Sequence, residues 1–84
     1  MSKRVEKEIQ VQTRSGIPAT LQIEPDRTWR VRVVDMWMES GLWWHGEGEK
    51  VFYRLERLEK QGGGTLVLYH DVTSEKWFLY RIFD

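Results

Sequence analysis

The chain has 84 residues, with 13 basic and 13 acidic side chains and no net charge, so its bulk electrostatics do not favour nucleic acid. It contains no cysteine, which excludes disulfides, thiolate catalysis and cysteine-based zinc sites. No apolar run approaches a membrane span and the N-terminus lacks the apolar core of a secretory signal, so we expect one cytoplasmic domain without a membrane partner.

The N-terminal part predicts a β-hairpin. Residues 1–4 are expected to form a flexible tail ahead of a single β domain over residues 5–84. Residues 8–14 and 19–24 each alternate between apolar and polar side chains, as half-buried strands do. Gly16 and the proline two residues later favour a tight turn between these strands.

The stretch from Thr28 to Glu39 predicts the central strand of the domain. Its first half alternates between an apolar face of Trp29, Val31 and Val33 and a basic face of Arg30 and Arg32. The alternation changes phase beyond position 33. Twelve extended residues span about 40 Å, which is long for a domain this small. We therefore predict one long strand, bent or bulged near 33–35, that serves two sheets or two halves of a barrel.

The region from residue 42 to residue 60 predicts two further elements. Leu42–His45 is a short apolar piece that we count as a strand. Val51, Tyr53 and Leu55 alternate, which favours a strand through Leu58. The helix-forming composition of residues 50–60 leaves a short helix as the alternative.

Two strands complete the chain. Residues 65–71 and 76–83 alternate on either side of a turn, and the last strand is expected to carry Trp77, Leu79 and Phe83 on one face and Phe78, Tyr80 and Ile82 on the other. The fold class predicted from all these segments is all-β: an antiparallel meander of about seven strands that forms a small barrel or a strongly curled sheet.

The aromatic residues are the first candidates for function. There are five Trp, three Tyr and three Phe, more than the roughly six or seven rings that so small a domain can bury. Trp43 and Trp44 are adjacent, so on a strand they point to opposite faces and one should be exposed. An exposed ring can stack on single-stranded bases or anchor a protein. Alternatively, the rings cover both faces of a curled sheet or form a dimer interface.

The arginines are the second candidates. Arg30 and Arg32 share a face of the central strand, and we expect Arg54 beside them across the sheet. Arginine suits phosphate binding and stacking on rings, so these three residues join Trp43 and Trp44 as the predicted binding residues. The alternative is cross-strand ion pairing with Glu24, Glu39 or Glu56.

The remaining polar residues do not predict catalysis. His45 and His70 lie near acidic residues, but two histidines without a fixed ligand spacing are a weak indication of a metal. No nucleophile elbow accompanies His70 and Asp71, and the glycine run 62–64 lacks the lysine of a phosphate-binding loop. The sequence therefore predicts a protein that is not an enzyme, with no catalytic residue, no metal and no cofactor.

A series of aromatic motifs in the second half resembles a known family. The motifs are Trp29-Arg30-Val31, Asp35–Glu39, Trp43-Trp44, Tyr53-Arg54-Leu55, Leu66–Asp71 and Lys76–Asp84. In this order they resemble an uncharacterised bacterial family of small β domains, found as short proteins in spore-forming and thermophilic lineages. Related segments end inactive Y-family DNA polymerase-like proteins of a mutagenesis cassette. The resemblance covers residues 28–84 and implies a binding role in DNA damage tolerance, without catalytic residues.

The function predicted from the sequence is a non-enzymatic binding module, linked by this resemblance to DNA repair or translesion synthesis. It would present exposed tryptophan and arginine to a partner. The zero net charge favours a protein partner or self-association over single-stranded nucleic acid, which stays the second option. The alternative function is a structural homo-oligomerisation domain whose excess aromatic residues form the subunit interface.

Overall fold

Six antiparallel strands close into a small barrel, and strands that follow each other in the chain are neighbours in the sheet. The structure, a computed structural model, describes residues 2–40, 48–58 and 64–83. The strands are β1 (Ser2–Arg14), β2 (Ile17–Glu24), β3 (Arg27–Ser40), β4 (Glu49–Arg57), β5 (Thr65–Asp71) and β6 (Lys76–Phe83). The all-β barrel is therefore confirmed. The described residues hold six strands instead of about seven, because the expected short strand at 42–45 lies outside them.

Both ends of the chain contribute to the closure of the barrel. β1 pairs with β6, so that the first strand of the meander is joined to the last. Residues 2–4, which the sequence analysis assigns to a tail, belong to β1 in this structure and pair with residues 81–83. The β1–β2 turn places Ser15 and Gly16 at φ values of 55° and 79°. Two successive positive φ angles are typical of the tight turns that join antiparallel strands.

The long bent strand predicted from the sequence is β3. Residues 27–30 pair with β2, whereas residues 31–40 pair with β4. The register with β4 shifts between Val33 and Asp35, which leaves Val34 as the extra residue of a β-bulge. The bulge explains the change of phase in the sequence, because one additional residue reverses which side chains face inward.

The ambiguous segment after residue 49 is a strand. β4 ends at Arg57, one residue before the predicted end, and pairs with β3 on one side and β5 on the other. Its inward side chains include Tyr53 and Leu55, which are 7% and 0% exposed. The helical alternative is wrong, because pairing on both edges and burial at every second residue outweigh the local preference for a helix.

The interior of the barrel is filled mainly by leucine. Five leucines are at most 1% exposed, namely Leu21, Leu55, Leu66, Leu68 and Leu79. Burying each such side chain contributes about 1.5–3 kcal/mol. Trp29 and Trp77 are only partly buried and pack against the outside of this cluster. An aliphatic core leaves most of the aromatic rings for the periphery and the outer surface.

A second irregularity changes the faces of the last strand. The β5–β6 register shifts so that Leu68 pairs with Leu79 while Val67 pairs with Arg81, which leaves Tyr80 as the extra residue. Ile82 therefore turns inward and packs against the core, and Phe83 lies on the outer face. The predicted faces of Ile82 and Phe83 are wrong, because simple alternation does not reveal this bulge.

Candidate binding surface

Four aromatic residues form a single line across the outer face of the barrel. Trp37 of β3 pairs with Phe52 of β4, Phe52 with Tyr69 of β5, and Tyr69 with Phe78 of β6. These four residues are called the aromatic row below. Their neighbours along each strand point into the barrel, so the row is separate from the leucine core.

The rings of the aromatic row stack on one another along the row. Neighbouring ring centroids are 5.5, 5.2 and 5.1 Å apart, with interplanar angles of 9°, 36° and 22°. The Tyr80 ring meets Phe52 edge-on at 5.5 Å, and Phe52 is only 6% exposed. Each such ring pair contributes about 0.5–1.5 kcal/mol beyond its buried area. The rings of the row are therefore in contact with one another from Trp37 to Phe78.

Charged side chains flank the aromatic row on both sides. On one side the cross-strand register gives the line Glu39, Lys50, Asp71 and Lys76. On the other side it gives Asp35, Arg54, Val67 and Arg81. The Lys50 ammonium lies 5.2 Å from the centroid of the Tyr69 ring, and the Arg81 guanidinium lies 5.5 Å from that of Tyr80. The surface therefore alternates in charge around an apolar centre.

The three predicted binding arginines lie on the outer face but do not form one cluster. The Arg32 Nη2 atom lies 2.7 Å from Glu56 Oε2, which is one of the cross-strand pairs considered from the sequence. Arg54 is exposed and pairs in register with Asp35, so it lies diagonal to Arg32 and not opposite it. The pairing of Arg32 with Glu56 is the reason, because Arg54 lies two residues away from Glu56 along β4. Arg30 is exposed on the earlier half of the strand, where it pairs with Thr20 of β2.

The two predicted binding tryptophans, Trp43 and Trp44, lie outside the described residues. The sequence analysis did not identify the aromatic row as a unit. Its members are visible in the sequence only as outward positions of four separate strands, and the register that aligns them depends on pairing between strands.

The second half of β3 has one edge without a neighbouring strand in the described part of the chain. Residues 34–40 pair with β4 on one side only, since the pairing with β2 ends at Arg30. We call the backbone edge that faces away from β4 the β3 edge. Val34, Met36 and Met38 are 55%, 57% and 61% exposed there, although Met36 and Met38 pair with the inward-facing Tyr53 and Val51.

One hydrogen bond shows how the backbone of this segment is oriented. The Met36 N–H donates to Asp35 Oδ1 at 2.9 Å, whereas an N–H that faces β4 would donate to a β4 carbonyl. Successive residues of a strand direct their N–H groups to opposite edges. Met36 and Met38 therefore present their backbone groups to the β3 edge, and Trp37 presents its own to β4.

The inner face near this end of the barrel holds the described histidine. His70 stacks on Trp77 with ring centroids 4.3 Å apart and an interplanar angle of 18°. Tyr53 lies on the other side of Trp77 at 5.6 Å, and burial raises the pKa of its phenol above the ordinary value of 10.0. Among residues 2–40, 48–58 and 64–83, no three side chains of the metal-binding types come together.

At the opposite end of the barrel, Arg57 covers Trp29. The guanidinium carbon lies 3.7 Å from the centroid of the indole ring. Nε of Arg57 is buried and has no hydrogen-bond partner. The contact with the ring therefore compensates part of the cost of burying this charged group.

Comparison of the chain with known proteins gives no match to a family model, to a curated protein or to a solved structure. The described residues also contain no helix with the length and hydropathy needed to cross a bilayer.

Proposed function

We propose that this protein is a cytoplasmic, non-enzymatic binding module that docks a protein partner on the outer face of β3–β6. The aromatic row carries this proposal. The leucine core does not need these rings, and Trp37 is half-buried at the end of the row, on the strand with a free edge. Half-exposed aromatic residues framed by charge are typical of the centres of protein interfaces.

The geometry favours a protein over single-stranded nucleic acid. A base needs the open face of a ring to stack on, whereas Phe52 and Tyr69 each have a neighbouring ring on both sides within the row. The charged residues that border the row are of both signs, so the row lacks the uniformly basic surface that favours phosphates. Arg54, one of the predicted binding residues, contributes in this proposal as an exposed charge beside the row. Trp43 and Trp44 remain proposed binding residues on the sequence argument alone.

The biological process is proposed from the sequence resemblance. Residues 28–84 contain the spaced aromatic motifs that resemble the segments of mutagenesis-cassette proteins. We therefore propose that the bound protein belongs to a DNA repair or translesion synthesis assembly. Trp37, Tyr69 and Phe78 lie within the motifs that carry the resemblance, and Phe52 directly precedes one of them.

A homo-oligomerisation domain is the second candidate function. The observation that favours it is the run of exposed apolar side chains at Val34, Met36 and Met38. Exposed apolar surface of this kind is often covered by a second subunit. In that case the row and the β3 edge would be buried between copies and would not recognise another protein.

The test combines three measurements on the purified chain. Sedimentation from micromolar to millimolar concentration reports self-association, and anisotropy of a labelled oligothymidine at low salt reports nucleic-acid binding. Capture of partner proteins on the immobilised chain, followed by mass spectrometry, compares wild type with the variant Trp37→Ala. The control is Val72→Ala, which removes an exposed side chain from the β5–β6 turn. We expect the chain to sediment as a monomer and not to bind the oligothymidine. We expect Trp37→Ala to abolish the capture of partner proteins and Val72→Ala to preserve it. A tight dimer or capture insensitive to Trp37 would overturn the proposal.

A further inference from the structure

No strand of the described ranges pairs with the β3 edge, which lies beside the aromatic row. A strand with unpaired N–H and C=O groups pairs readily with another extended chain. Met36 and Met38 direct these groups away from β4, as the Met36 N–H bond to Asp35 indicates. The inference that follows rests on the proposed binding function and names the kind of partner.

The side chains on the two faces of the β3 edge define what an added strand must carry. In an antiparallel pair, opposite residues lie on the same face and their side chains touch. On the inner face the added strand would meet Met36 and Met38, both more than half exposed, so its residues there should be apolar. On the outer face it would meet Asp35, Trp37 and Glu39 in succession.

Trp37 is the end of the ring stack at this edge. One face of its indole stacks on Phe52 with an interplanar angle of 9°. No ring from the described part of the chain lies on its other face. A planar side chain on an added strand, opposite Trp37, would therefore extend the aromatic row by one member.

The charges of the β3 edge indicate a basic partner. Residues 33–40 contain two acidic side chains, Asp35 and Glu39, and no basic one. Both are exposed, and neither forms an ion pair with any described residue. Lysine or arginine opposite these positions would form favourable cross-strand pairs, whereas the phosphates of a nucleic acid would be repelled.

A second copy of the chain fits this edge poorly. An antiparallel pairing centred on Trp37 would place Asp35 opposite Glu39 of the second copy, twice. Pairings centred on Met36 or Met38 place Trp37 opposite an acidic residue and give no pair of opposite charges. Like charges directly opposite each other are destabilising, and such charges are a common protection of edge strands against self-association.

We propose that the β3 edge binds an extended peptide segment by antiparallel strand addition. The segment carries a basic residue, an aromatic residue and a second basic residue at alternate positions, opposite Asp35, Trp37 and Glu39. Apolar residues between them cover Met36 and Met38. The backbone hydrogen bonds supply affinity, and the alternating side chains supply the choice of partner.

Two synthetic peptides test this proposal, TKVFVKT and its acidic counterpart TEVFVET, each labelled with fluorescein. Anisotropy measures their affinity for the wild-type protein, for the variant D35K/E39K, and for the control E8K/D26K, which changes the net charge equally at exposed positions away from the edge. We expect wild type and control to bind TKVFVKT about tenfold or more tightly than TEVFVET. The D35K/E39K variant should reverse this preference.

Amide exchange during the same titration locates the peptide. Bound TKVFVKT should slow exchange of the Met38 N–H, which faces the β3 edge.

If both peptides bind equally, or the preference persists in D35K/E39K, or Met38 is unaffected, strand addition is overturned while a binding role for the aromatic row survives. If neither peptide binds, strand addition is likewise overturned, and the proposed function is judged separately by the dependence of protein capture on Trp37. Dimerisation that protects Met38 without peptide would assign the edge to a second copy and overturn the proposal.

Discussion

At the scale of single residues, position in the barrel decides the role of each aromatic side chain. Tyr53 and Phe52 are neighbours in β4 and almost equally buried, at 7% and 6% exposure. Tyr53 points inward against Trp77, and Phe52 points outward and is covered by other rings. The sequence alone predicts that these two side chains point to opposite faces. It does not predict that Phe52 is also buried, because the rings that cover Phe52 belong to three other strands.

The inward position of Tyr53 has a measurable consequence for pH dependence. Burial raises the pKa of its phenol above 10.0, because the phenolate is poorly solvated in the folded chain. The unfolded chain therefore ionises first as the pH rises. The stability associated with the neutral phenol is complete below pH 10.0 and is lost progressively as the pH rises through the higher, folded-state pKa.

The variant Tyr53→Phe tests this assignment. At pH 7 its free energy of unfolding should stay within about 1 kcal/mol of wild type, since the ring is retained. Above pH 10 wild type should lose more stability than the variant, measured by urea unfolding across the pH range. Equal losses of stability in both proteins would show that ionisation of Tyr53 does not contribute.

At the scale of elements, β3 determines both the fold and the candidate site. Its bend was predictable, because the change of phase at Val33 and the length of the segment both require it. The strand at 50–60 was favoured by alternation, but pairing on both edges was needed to exclude a helix. The bulge at Tyr80 and the displacement of Arg54 from Arg32 could not be predicted, because the register between strands leaves no periodic trace in one strand.

Deleting Val34 tests the role of the bulge. Without this residue Asp35 would follow Val33 in regular alternation, so Met36 would stay opposite Tyr53 and Trp37 opposite Phe52, but the strand would lose the bend that the bulge introduces. We expect a loss of about 1–3 kcal/mol in the free energy of unfolding, measured by thermal or urea denaturation, because β3 needs this bend to pair with both β2 and β4.

The substitution Val34→Thr is the matched control for this deletion. It keeps the extra residue, and the side chain is more than half exposed, so we expect a change within about 0.5 kcal/mol. Similar stability of the deletion and the substitution would mean that the bend at Val34 does not stabilise the barrel.

At the scale of the whole molecule, the barrel is closed through β1 and β6, yet residues 34–40 of β3 pair on one side only within the described part of the chain. The meander, the aliphatic core and the excess of aromatic residues are all readable in the sequence, since each depends on local alternation and composition. The free edge is not readable, because it arises where the pairing of β2 with β3 ends at Arg30 and no described strand replaces it. The proposed function depends on the aromatic row, and the strand-addition proposal depends on this edge beside it.

The most direct test of this account is residue-resolved amide hydrogen exchange along β3 in the unliganded protein. Trp37 and Glu39 should exchange slowly, about a thousandfold or more below the unprotected rate, because their N–H groups donate to β4. Met38, on the open edge, should exchange within roughly tenfold of the unprotected rate. Uniform protection of residues 35–39 would contradict the account, since it would mean that the β3 edge is already covered and no added strand can pair there.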